Sequence, residues 1–283
     1  MSPEKPSVWE VPTAGKPKVG FPGNGERGRQ GKILPGIRRQ KSRLREVPTA
    51  GVPTEGGGKD EARMLTEKKK EFIEFMLSAQ VLRFGNFVTK SGRNTQYFVN
   101  TGNYKTGAQL ARLGSYYAAL VKETVGDQFE AMFGPAYKGI PLATACAIAL
   151  YRDHGIDRPY FFNRKEVKDH GEGGGTVGYA PQDGDRIIII EDVITAGTAV
   201  RETMPILKAC ADVKVPHMFI SVDRCEVGHT PGKTAIMEVE EEFGVKVHPI
   251  VTVVDIHEYL KANGTDPELI KAMEGYMDQY CVL

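Results

Sequence analysis

The run Ile187–Glu202, IIIIEDVITAGTAVRE, constrains this chain more than any other stretch of it. Four consecutive β-branched residues, Ile187, Ile188, Ile189 and Ile190, suit a strand buried on both faces, as in a parallel sheet. Glu191 and Asp192 stand where that strand ends. Val193 and Ile194 follow, then a turn of small and hydroxyl residues, Thr195, Ala196, Gly197, Thr198 and Ala199, and the helix-compatible Val200-Arg201-Glu202. In an open α/β sheet, ligands bind beyond the carboxyl ends of the strands. A turn of small residues entering a helix presents unpaired backbone N–H groups, and the positive end of the helix dipole, to an anion. The carboxylates repel such an anion, so they are expected to face the hydroxyls, or a metal, on an attached sugar. The local expectation is a sugar-phosphate site. The plainer alternative is a core strand ending in a solvated acidic turn.

Charge and composition divide the chain in two. Before Met64 there are 13 basic and 7 acidic residues; from Met64 onward there are 24 and 29. A mildly acidic main part gives no reason to expect nucleic acid as a partner. No apolar run approaches the ~20 residues of a membrane span. Four scattered cysteines, Cys146, Cys210, Cys225 and Cys281, form no C-x-x-C pair and no zinc spacing, which suits reduced thiols in the cytoplasm.

The first sixty residues hold 8 of the 17 prolines and 11 of the 32 glycines, without helical or strand period. Such a composition buries too little apolar surface to offset chain entropy, so residues 1–63 are expected to be a disordered, basic tail. Its hexapeptide Glu10–Gly15 returns as Glu46–Gly51, but two copies do not make a solenoid. Gly23-Asn24-Gly25-Glu26-Arg27-Gly28 spells a dinucleotide fingerprint without the strand and helix that give it meaning. The abrupt change of composition suggests that Met64 is the natural start and that the tail is not catalytic, leaving 64–283 as the domain.

Within 64–283, helical spacing of Leu65, Phe72, Phe75, Met76 and Ala79 predicts an amphipathic helix over 64–81. A small hairpin over 84–100 turns at Ser91-Gly92-Arg93-Asn94. Helices are expected over 109–122, 140–151, 198–210 and 238–243, and strands over 131–133, 187–190, 213–222 and 245–254. Alternating strands and helices predict a parallel, doubly wound α/β sheet, with the first helix and hairpin as a small cap over one end. The polar stretch Asn163–Gly178 has little to bury. Its cations Arg164, Lys165 and Lys168, with His170, precede a glycine run and suit a mobile lid.

The IIIIEDVITAGTA run resembles the diphosphate-donor signature of type I phosphoribosyltransferases. The order of segments from Leu65 onward resembles the orotate branch of that family. Four further segments carry the likeness: Lys90-Ser91-Gly92-Arg93 with Tyr97-Phe98-Val99-Asn100; Gly134-Pro135-Ala136-Tyr137-Lys138-Gly139; the RKE-x-KDHGEGG stretch from Arg164; and Asp223-Arg224-Cys225-Glu226. The lid stretch is the most specific to orotate, against purine, transferases. The resemblance implies transfer of a phosphoribosyl group from phosphoribosyl diphosphate (PRPP) to orotate, and a homodimer whose lids, residues 163–178, reach the neighbouring active site.

By the same resemblance, Lys90, Tyr137, Lys138, Arg164, Lys165, Lys168 and His170 contact the diphosphate. Glu191 and Asp192 hold the ribose, Val193 and Ile194 also meet PRPP, and the turn Thr195–Ala199 anchors the 5′-phosphate. Phe98, Val99, Thr195 and Arg224 receive orotate, Val99 standing where the family often has a second aromatic. Lys165, Lys168, His170 and Asp192 are the candidate catalytic residues. Magnesium is the implied cofactor, held through PRPP and water rather than directly by the protein. Two rivals remain open: a purine transferase, and a regulatory module that binds PRPP or nucleotides without turnover.

Overall fold

Ile187–Ile190 are fully buried, and their strand β6 (Arg186–Ile190) lies inside a six-stranded sheet. Its other members are β3 (Ala131–Phe133), β4 (Tyr160–Asn163), β5 (Thr176–Gly178), β7 (Lys214–Asp223) and β8 (Lys246–Thr252), in the spatial order β5-β4-β3-β6-β7-β8. The computed structural model describes residues 65–88, 92–165, 175–194 and 197–283, all within the unit Gly57–Leu283. The tail expected over 1–63 and the start at Met64 lie outside the described residues.

Because side chains alternate across a strand, Ile188 and Ile190 enter one core while Ile187 and Ile189 enter another. The first core is closed by α1 (Glu67–Ser78), α2 (Gly107–Thr124), α3 (Gly139–His154), α6 (Val253–Ala262) and α7 (Pro267–Tyr280). The second is closed by α4 (Thr198–Cys210) and α5 (Ala235–Phe243), through Val200, Met204, Leu207 and Val239. Each fully buried isoleucine contributes about 1.5–3 kcal/mol by leaving water. Helices on both faces make the sheet doubly wound, as expected. It is mixed rather than wholly parallel, because β5 runs antiparallel to β4 at one edge.

The cap is a helix and a hairpin, with an addition. Thr66 caps α1 by accepting from Lys69 N, and Phe72, Ile73, Phe75 and Met76 form its buried face. The hairpin strands β1 (Leu82–Val88) and β2 (Asn94–Val99) pair antiparallel. Asn94, expected in the turn, instead opens β2 opposite Val88. The addition is α7, whose Tyr276 meets Tyr97 of β2 edge-on at 5.8 Å. The strand expected over 245–254 stops at Thr252. There Thr252 Oγ1 accepts from Asp255 N while Asp255 Oδ2 accepts from Thr252 N at 2.7 Å, a capping box that starts α6. No helix among the described residues is long and apolar enough to cross a membrane.

Candidate active site at the carboxyl ends of the strands

The strand order reverses direction between β3 and β6: from β3 the chain moves outward to β4, and from β6 to β7 and β8. Crevices at such switch points are where open α/β sheets take their ligands. The loops after β3 and β6 flank this one, and the loops after β4 and β7 lie next to them. All four had been singled out from sequence.

Glu191 and Asp192 follow β6 and are 7% and 6% exposed, so they are not a solvated turn. Glu191 Oε1 accepts from Asp192 N at 2.9 Å, and the Glu191 carbonyl accepts from the buried Tyr117 hydroxyl at 2.7 Å. Burial holds the Glu191 carboxyl well above the usual carboxylate range. Asp192 Oδ1 accepts from Val193 N at 2.7 Å, and its carbonyl accepts from Ser221 N and Oγ. Asp192 Oδ2 accepts from Thr101 Oγ1 at 2.7 Å and from Lys138 Nζ at 2.8 Å.

Lys138 and Asp192, read as contacts to different parts of one ligand, therefore form a single ion pair. Asp192 is nearly buried and Lys138 Nζ is the cation within reach of it, so the two charges compensate each other. Thr101, in a short 3-10 turn after β2, was not anticipated as a site residue. A lone hydroxyl beyond a strand carries no sequence signal of its partner, and neither do Tyr117 and Ser221.

The β3–α3 loop closes tightly. A Cβ on Gly134 would lie 2.3 Å from the Gly139 carbonyl oxygen, a backbone atom that cannot swing away. Gly134→Ala is expected to destabilise the protein by about 2–3 kcal/mol, read as a lower urea midpoint. An unchanged midpoint would show that the loop yields. The Ala136–Tyr137 peptide is cis, and Tyr137 is 65% exposed. Asn163, at the end of β4, is buried and its Oδ1 accepts from Ala136 N at 2.8 Å. The stretch read as having little to bury thus begins with a buried side chain that braces the neighbouring loop.

At the root of the expected lid, Arg164 N donates to the Gly175 carbonyl at 2.7 Å, drawing both ends together. Lys165 Nζ lies 5.5 Å from the centroid of the Tyr137 ring, which joins the roots of two loops. Lys168 and His170 lie outside the described residues, as do Lys90, Thr195 and Ala196.

Helix α4 begins with Gly197 in the left-handed region (φ 72°) and no side chain caps it. A Cβ there would sit 2.8 Å from Val239 Cγ2, so shape and backbone conformation both demand glycine. Thr198 and Ala199 are exposed and Val193 half-buried, whereas Ile194 is 8% exposed and turned into the second core. The uncapped first turn of α4 has the unpaired N–H groups that an anion would satisfy.

Arg224 directly follows β7. Its side chain is 13% exposed, and Nη2 lies 2.6 Å from Glu226 Oε1. The guanidinium stacks over Tyr97, 4.9 Å from the ring centroid. The ion pair of Arg224 and Glu226 thus lies inside the cap and not on the surface. Phe98 and Val99 are adjacent on β2 and so face opposite sides. Phe98 stacks on Phe87 at 5.4 Å beneath Arg83, while Val99 packs on the first core. Their side chains therefore do not line one surface together.

Residues 100–228, which hold the loops after β3, β4, β6 and β7, match the family described as phosphoribosyl transferase domain. The chain is 52% identical over 215 residues to an orotate phosphoribosyltransferase of Clostridium beijerinckii, covering 75% of this chain and 95% of that protein. It is 48% identical over 212 residues to one from Vibrio parahaemolyticus, covering 75% and 97%. The crystal structure of the Francisella tularensis orotate phosphoribosyltransferase superposes with a TM-score of 0.68 at 39% identity, covering 75% of this chain and 99% of that one. Likeness of this extent places the chain in the orotate phosphoribosyltransferase family.

Proposed function

We propose that this chain transfers the phosphoribosyl group of PRPP to orotate, giving orotidine 5′-monophosphate and diphosphate for pyrimidine nucleotide synthesis. The observation that carries the reading is the placement of the Glu191–Asp192 pair, the uncapped start of α4, and Lys138 around one switch point.

The chemical demand is departure of a highly charged diphosphate from the anomeric carbon, which leaves positive charge on the ribose. The first turn of α4, with Thr195 to Ala199, would bind the 5′-phosphate. Asp192 and Glu191 would accept from the ribose hydroxyls. Lys138 would then exchange its bond to Asp192 for one to diphosphate oxygen. Lys90, Tyr137, Arg164, Lys165, Lys168 and His170 complete the surroundings of the leaving group and stabilise its developing charge. Binding the remote phosphate holds the anomeric carbon against the orotate nitrogen, an orientation effect. Arg224 would fork onto the orotate carboxylate, which uracil lacks. Phe98 and Val99 lie on the hairpin and face opposite sides of it, so at most one would meet the base with its side chain and the other through its backbone amide.

Phosphoribosyltransferases generally use magnesium with PRPP. The oxygens gathered here, on Asp192, Glu191 and Thr101, are hard donors that suit this ion, and they are hydrogen-bonded to the protein. They would meet it through ribose oxygens and water, where it would offset negative charge on the donor.

A homodimer is the proposed assembly, with residues 163–178 reaching the second active site. Its support is apolar surface: Ile148 and Tyr151 on α3 are 60% and 64% exposed, and Tyr160 at the start of β4 is 36% exposed. The four cysteines are free, which supports a cytoplasmic setting. Residues 64–283 would be the transferase domain, with 1–63 a non-catalytic tail.

The test is loss of orotate absorbance with PRPP and magnesium, with uracil, hypoxanthine and adenine in parallel. Magnesium-dependent consumption of orotate alone is expected. PRPP binding without turnover of any base would replace this reading by a regulatory module.

A further inference from the structure

We propose that α7 belongs to the base-recognition site, with Tyr276 and Glu226 acting as positioning residues that aim the Arg224 guanidinium. The inference rests on the orotate reading above and names residues that the reading itself does not need.

Nη2 of Arg224 is held twice, by Glu226 Oε1 at 2.6 Å and by the Tyr276 hydroxyl at 3.1 Å. The Tyr276 hydroxyl in turn donates to Glu226 Oε1, closing a triangle of three groups. Glu226 Oε2 is anchored separately by Arg93 Nη1 at 3.2 Å. With Tyr97 beneath the guanidinium plane, Arg224 is fixed in face and in rotation. Tyr276 is 3% exposed and Glu226 has 17% of its side chain exposed, so both anchors are firm.

One donor of this restrained group is left over. Nε of Arg224 is buried without a partner, and so is the Tyr97 hydroxyl. A buried charged donor with no acceptor is costly and is seldom retained without a use. Arg224 and Glu226 also line a small pocket with Ile194 and Thr234, beside the loop that carries Asp192. That pocket has room for about one water, so a planar anion would reach the guanidinium only by displacing Glu226 from it. Glu226 already engages Nη2 as a carboxylate ligand would. Tyr276 therefore sets how Arg224 is shared between the internal carboxylate and an incoming one.

A purely structural Tyr276 would only clamp α7 to the hairpin through its ring. Tyr276→Phe keeps the ring and its contact with Tyr97 and removes the hydroxyl alone. Its KM for orotate is expected to rise about tenfold, while the KM for PRPP, kcat and the urea midpoint stay within twofold or nearly unchanged. Glu226→Gln, with its size preserved, is expected to show the same split between the two KM values, together with a lower urea midpoint because Arg93 and Arg224 both lose their carboxylate. A normal orotate KM in both variants, or equal shifts in both KM values, overturns the inference and leaves the orotate reading standing. Failure of the unmodified protein to consume orotate overturns the reading and this inference with it.

Discussion

Lysine in place of Arg224 is expected to raise the KM for orotate by about a hundredfold and to leave the KM for PRPP near its original value. Lysine keeps the charge, but it has neither a plane to lie on Tyr97 nor a fork to share between Glu226 and a second carboxylate. Two charge-assisted hydrogen bonds, at about 1.5–3 kcal/mol each, are more than enough for that factor. Apart from Lys90, the residues that would bind PRPP follow β3, β4 and β6, whereas Arg224 follows β7, so the effect should be confined to one substrate. Steady-state titration of each substrate against a saturating level of the other measures this. An orotate KM unchanged in the lysine variant would remove Arg224 from base recognition.

Lys165→Ala is expected to lower kcat about a hundredfold with little change in orotate affinity. A cation beside the leaving group counts most when the carbon–oxygen bond has stretched and charge has gathered on diphosphate. An interaction made chiefly in the transition state lowers kcat and kcat/KM together. Equal losses of turnover and orotate binding would argue against a leaving-group role. Lys165 lies over Tyr137 of its own chain. Mixing the Lys165→Ala protein with the Arg224→Lys protein therefore asks which subunit the lid serves. Recovery of activity on mixing is expected if each lid completes its neighbour's site, and none if it closes over its own.

Much of this site could be read from sequence because its pieces are local. The isoleucine strand, the acid pair and the helix from Thr198 are adjacent in the chain, and each has its own physical signature. The strand Ala131–Phe133 and its glycine-flanked loop were legible for the same reason. What escaped were relations across the chain. Lys138 and Asp192 are 54 residues apart, and nothing local to either reveals the pairing. Thr101 is separated from Asp192 by 91 residues. The antiparallel strand β5 is Thr-Val-Gly, too short for any period to show. Helix α6 follows β8 with only Thr252 between the valines, a residue as much at home in a strand as at a helix cap, so the run to Val254 reads as one strand. Helix α7 had a start signal in Asp266-Pro267, the acid accepting from Glu268 N at 2.9 Å.

The distance along the chain between Arg224 and Tyr276 also has a consequence for how the protein is made. Synthesis delivers the sheet arginine 52 residues before the tyrosine that holds it. At the ~5–20 residues per second of translation, several seconds separate the two. During that interval β1 and β2 can pair, and the sheet can close around β6, but the guanidinium has only part of its final surroundings. On the proposed role of Arg224, competence to select a base is acquired late, after the strands that would hold the sugar and phosphates have been completed.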